Sequence, residues 1–111
     1  ALRINGPQES FDGFVDGAMR YFVSNGWSEH CAWSLIDSQC RNVTGSNALR
    51  YDNRCSRDAM VRALERGRPD ALEELARNIA ISLDPYLDEG SSERLRKELD
   101  NLAMKHSLTR R

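Results

Sequence analysis

No stretch of this sequence stays apolar for the roughly 18 residues that a membrane-spanning helix needs, which removes a helical transmembrane reading. Aromatic residues are scarce, at 7 % of the 111 residues, and no segment alternates apolar and polar residues as a half-buried strand would. Cysteine and histidine are scarcer still, at three and two, and no pair of them has a recognised ligand spacing, so neither a structural metal nor a cofactor is expected. Lysine occurs only at Lys97 and Lys105. A net charge of −1 gives the chain as a whole no reason to seek nucleic acid or an anionic surface. One further motif fails on inspection. Asp84 to Glu93 holds acids and a glycine, yet counting back from Gly90 puts Pro85 where an EF-hand needs its first calcium ligand.

What is present is helical periodicity with clear punctuation. Phe11, Phe14, Val15, Ala18, Met19, Phe22 and Val23 recur at spacings of three and four, which predicts a first helix starting near Ser10 and stopped by Asn25-Gly26. Gly13 and Gly17 weaken it but permit a close neighbour. Ser28 suits the N-cap of a second helix running to about Cys40. Its inner stripe is expected at Cys31, Ala32, Leu35, Ile36 and Gln39 or Cys40, with His30, Trp33 and Asp37 on another face. Ser56 can cap a third helix that turns Ala59, Met60, Ala63 and Leu64 inward and ends at Gly67. Pro69 suits the first turn of a fourth, carrying Leu72, Leu75, Ala76, Ile79, Ala80 and Leu83. Tyr86 to Gly90 reads as a turn, and Ser91 or Ser92 opens a last helix with Leu95, Leu99, Leu102, Ala103 and His106 in register. The fold class is therefore all-α: one compact domain of about five helices, two helical hairpins plus a C-terminal helix, with one long loop at 41–55. Residues 1–9 form an N-terminal arm, 10–108 the helical domain, and 109–111 a basic tail.

The loop concentrates the candidate chemistry. Between Arg41 and Arg68 seven arginines face three acids, Asp52, Asp58 and Glu65, in an otherwise near-neutral chain. A GC-rich coding sequence would produce the same preference for arginine over lysine. Arginine forks also suit carboxylate, phosphate and aromatic partners. Cys31 and Cys40 lie about 13 Å apart along one helix, too far to bridge. Cys40 and Cys55 could pair and tie off the loop, which would contribute about 3 kcal/mol in an oxidising compartment. The setting is cytoplasmic by default, and periplasmic or secreted if those two cysteines are joined.

Catalysis finds little support. Cys31 and His30 are adjacent on a helix and point about 100° apart. The run Ala18-Met19-Arg20-Tyr21-Phe22, followed by Asn25-Gly26-Trp27-Ser28 and Ala32, resembles the opening helix-turn-helix of phage tail lysozymes. That resemblance covers about 20 residues and implies a divergent or degenerate murein hydrolase. Where that family carries its catalytic Glu-Ser pair this chain has Arg41-Asn42, and the later Gln-Trp segment is missing. A second reading is a nucleic-acid-binding regulator using helix 3, through Arg57, Arg62 and Arg66. The favoured reading is a non-enzymatic protein-interaction module, such as an adaptor, an inhibitor or an immunity-type protein. Tryptophan, tyrosine and arginine dominate interface hot spots, and Trp33, Arg41, Arg50, Tyr51, Arg54 and Arg57 combine them in one region. A homodimer through the Gly13 and Gly17 face of the first helix is the remaining expectation about partners.

Overall fold

A computed structural model describes residues 6–45, 53–68 and 70–107, the side chains of 53–56 excepted. The described residues form five helices, α1 (Pro7–Ser24), α2 (Glu29–Thr44), α3 (Asn53–Glu65), α4 (Ala71–Leu83) and α5 (Glu89–Lys105), and one 3-10 turn at Asp84–Tyr86. The bundle is a flat disc, 40 × 36 × 19 Å across its Cα atoms, and the short dimension accommodates two layers of helix.

Local chemistry explains each boundary. Pro7 occupies the first turn of α1, where its missing N–H costs nothing, and Glu9 accepts from the Gly6 N–H at 3.2 Å. Residues 7–9 are thus the start of a helix and not part of an arm. Gly26, at φ 96°, turns the chain out of α1, and the Trp27 N–H donates back to the Phe22 carbonyl. Ser28 caps α2 as expected, its hydroxyl accepting from the Cys31 N–H at 3.1 Å. At the far end α2 continues past Cys40 to Thr44 and closes on Gly45, whose φ of 65° is left-handed. Likewise α3 starts at Asn53, ahead of Ser56. The expected loop at 41–55 therefore gives up four residues to one helix and three to the other, and residues 46–52 lie outside the described residues. Asp88, not Ser91 or Ser92, caps α5: its carboxylate accepts from the Ser91 N–H at 2.8 Å, a bond that holds its pKa below the usual value.

The core is nearly continuous through α4, in which Leu72, Leu75, Ala76, Ile79, Ala80 and Leu83 are all buried, together with Ala71. Phe14, Phe22, Ile36, Met60 and Leu99 meet them from the other four helices. The closest helix pairs are α2 with α3 and α4 with α5, while α3 touches α4 only lightly. Pairing is thus shifted by one helix from the hairpins expected between the first and second and between the third and fourth. The reason lies in α1, which reaches across α2, α3 and α5 instead of lying along one neighbour.

Gly13 and Gly17 show how α1 meets α5. A methyl group built on Gly13 would collide with the His106 ring, and one on Gly17 with the end of Leu102. Two glycines four residues apart receive two side chains four residues apart, so small residues let two helices approach. The face expected to support a homodimer is covered by α5 of the same chain. Partial burial in this contact, with Lys105 next to it, lowers the His106 pKa. Gly17→Val is expected to destabilise the fold by about 1–3 kcal/mol, since Leu102 must leave its seat. Equilibrium denaturation measures this, and an unchanged midpoint would contradict the packing described.

Candidate functional site

Asp37 lies on the fourth turn-neighbour of Trp33 along α2, so the two side chains emerge on one face. The sequence pattern puts that face off the inner stripe of the helix. In the structure Asp37 is only 2 % exposed, and the buried arc of α2 runs through Ala32, Ile36, Asp37, Gln39, Cys40 and Val43. The arc is rotated toward Asp37, which leaves Cys31 exposed and Leu35 half-buried. The cause is a cation from another helix. Arg57, in the second turn of α3, donates from Nε to Asp37 Oδ1 at 2.8 Å and from a terminal nitrogen to Asp37 Oδ2 at 3.0 Å. This bidentate fork satisfies a carboxylate that burial would otherwise penalise heavily. The same guanidinium lies over the Trp33 ring, its central carbon 4.1 Å from the ring centroid. One arginine is thus held by a charge and an aromatic face together.

Cys40 follows Asp37 by three residues and is a free, fully buried thiol. Burial, followed by the Asp37 charge, pushes its pKa up to about 12, against smaller lowering by Arg57 and Arg41. Such a thiol is inert. Of the pair admitted as a possible disulfide, the side chain of Cys55 lies outside the described residues.

On the solvent side of this cluster a groove of about 440 Å³ opens between α1 and α3. Phe11, Val15, Trp33 and Val61 supply apolar surface, and Asp12, Asp16 and Asp58 supply carboxylates. Two of these have local contacts: Gln8 donates to Asp12 at 3.0 Å, and Arg20 reaches Asp16 at 3.5 Å in a loose pair whose side chains are both more than two-thirds exposed. A smaller cleft of about 210 Å³ lies elsewhere beside α3, between Thr44, Arg62, Arg66 and Arg68, the last of which also bonds Glu74 at 2.6 Å.

The sequence-predicted residues divide accordingly. Trp33 and Arg57 come together at the groove. Arg41 is half-buried in the last turn of α2, and Arg54 belongs to α3. Arg50 and Tyr51 lie outside the described residues, as does the side chain of Arg54. Sequence reasoning missed Asp37 and the three groove acids. The available signal was the four-residue spacing of Trp33 and Asp37, since both groups attract a guanidinium.

The segment that resembles phage tail lysozymes performs structural work. Trp27 packs on Phe22 with ring centroids 5.1 Å apart, and Ser28 caps α2. Arg41 and Asn42, where that family has its acid, lie inside α2 and offer no carboxylate. Among the described residues no three His, Cys, Asp or Glu side chains converge as a metal site, and no helix is long and apolar enough to cross a membrane. No family model, no curated protein and no solved structure matches the chain.

Two expectations follow from the cluster. Arg57→Met leaves a buried carboxylate without its cation, whereas Asp37→Asn leaves a guanidinium that is one-third exposed and can reach water. Denaturation should therefore show Arg57→Met costing about 3 kcal/mol and Asp37→Asn about 1 kcal/mol; equal costs would contradict the asymmetry. In a Cys55→Ser chain at mildly alkaline pH, a thiol reagent should modify Cys31 promptly and Cys40 only after unfolding. Prompt modification of both would refute the burial of Cys40.

Proposed function

We propose that this chain is a small, non-enzymatic protein-interaction module of the adaptor, inhibitor or immunity type. In this reading its partner sits in the groove between α1 and α3. The observation that carries it is the fixing of Trp33 and Arg57, two residue types typical of interface hot spots, at the edge of a groove by the buried Asp37 carboxylate. Side chains held in place before binding lose little freedom on association, and this raises the affinity obtained from a given contact area. Rigid aromatic and guanidinium groups beside apolar surface, with a polar rim, match the anatomy of protein interfaces. Arg41, Arg50, Tyr51 and Arg54 are further candidate contacts for the same partner in this proposal.

A second reading, a nucleic-acid-binding regulator, draws on Arg62, Arg66 and Arg68 around the smaller cleft. It loses Arg57, which is committed to Asp37, and it meets Glu74 at Arg68. The two readings separate in one experiment. A photoreactive phenylalanine analogue is placed at 8, where the exposed Gln8 lines the groove, at 62 or 66 beside the arginine cleft, and at 86 or 104, where Tyr86 and Met104 are exposed. In extract of the source cell, crosslinking of one protein species from 8 but not from 86 and 104 is expected. Crosslinks to nucleic acid from 62 and 66 would replace the first reading with the second, and no groove crosslink would end it.

A further inference from the structure

The charge around the groove specifies the chemistry of its occupant, on the premise that the groove is where a protein partner binds. Asp12 and Asp16 lie one turn apart on α1, and Asp58 faces them from α3. All three are exposed. Arg57 is the one basic residue among the described residues lining the groove, and its fork spans both oxygens of Asp37, so this cation and that buried anion offset one another. The groove acids are thus an excess of negative charge on both walls, above an apolar floor of Phe11, Val15 and Val61. Arg20 contacts Asp16 from the outer side at 3.5 Å, with both side chains bathed in solvent, and such a pair is readily exchanged. The Gln8 amide bonded to Asp12 is neutral and leaves the carboxylate charge in place.

We infer that the groove takes a positively charged side chain, an arginine or a lysine, from an extended or helical segment of a protein partner. The carboxylates of Asp12, Asp16 and Asp58 would receive the cationic head, and the apolar floor the methylene stem, as amphipathic side chains distribute themselves between water and apolar surface. A low-dielectric floor strengthens the attraction of facing carboxylates for a cation over that of the same charges scattered on a convex surface. Acidic peptides and nucleic acid are excluded from this groove by the same charges.

The test uses the intact chain and short probes. The tripeptide Gly-Arg-Gly, blocked at both ends, is titrated against the isotopically labelled protein, with the citrulline analogue as an uncharged isostere and Gly-Glu-Gly as an anionic control. Amide and indole shifts that move for residues 8–16, 57–61 and Trp33 with the arginine peptide alone, and that weaken about tenfold in Asp12→Asn/Asp58→Asn or in high salt, are expected. Equal shifts with citrulline would overturn the proposal. So would shifts spread over acidic residues of α4 and α5, or binding unaffected by the double substitution. Thermal unfolding of the double variant checks that the groove persists, which exposed aspartates on helix surfaces should allow. If the groove crosslinks to a protein partner while the arginine peptide fails, the interaction reading stands and the assignment of a cationic occupant falls.

Discussion

A carboxylate buried among helices imposes more on this fold than any single apolar contact does. Asp37 is 2 % exposed, so an ionised side chain there must be paired and hydrogen-bonded or the helix that carries it must turn outward. Arg57 supplies both bonds from α3, across twenty residues of sequence. That requirement sets the rotation of α2, brings α3 alongside it, and places a guanidinium over Trp33. It also raises the pKa of Cys40 through the Asp37 charge, in addition to the burial of the thiol itself. The pair gives less net stability than a hydrophobic match of equal volume would, but it fixes register: Arg57 can satisfy Asp37 from few positions along α2.

Against this polar constraint stands an ordinary apolar one at the other side of α1. Gly13 and Gly17 seat His106 and Leu102, so α1 is held by α5 on one flank and faces α3 across the groove on the other. A helix packed against neighbours on both flanks makes a stable wall for a groove that opens above its contact with α3.

How much of this could be read from the sequence depends on what kind of signal each feature leaves. The apolar stripe of α4 is local and periodic, and every residue assigned inward there is buried. Helix stops at Gly26 and Gly45 and the Ser28 cap are local also, although Gly45 acquires its meaning only once α2 is known to pass Cys40. Asp37 falls off the expected inner stripe because periodicity weighs an aspartate as polar and has no information on a partner twenty residues away. Cys31 was placed inside by the same reasoning, since rotating the buried arc toward Asp37 moves Cys31 out of it. The ends of α2 and α3 were drawn too short because Arg41-Asn42 and Asn53-Arg54 carry no apolar signal, whereas polar residues form helix ends freely when the flanking turns are packed.

The same distinction changes the meaning of the arginines. Counted along the sequence they form one basic segment, and a basic segment suggests an anionic partner. Folded, they fall into separate roles: Arg57 offsets a buried acid, Arg68 meets Glu74, and Arg62 and Arg66 line a cleft away from the groove. Meanwhile acids distant in sequence, Asp12 and Asp16 on one helix and Asp58 on another, converge at the groove beside Trp33. The local sign of charge at that surface is therefore opposite to the sign that the sequence suggests for the segment as a whole. A folded helical surface sorts charges by face and not by order along the chain, so the partner proposed for this groove is a basic one.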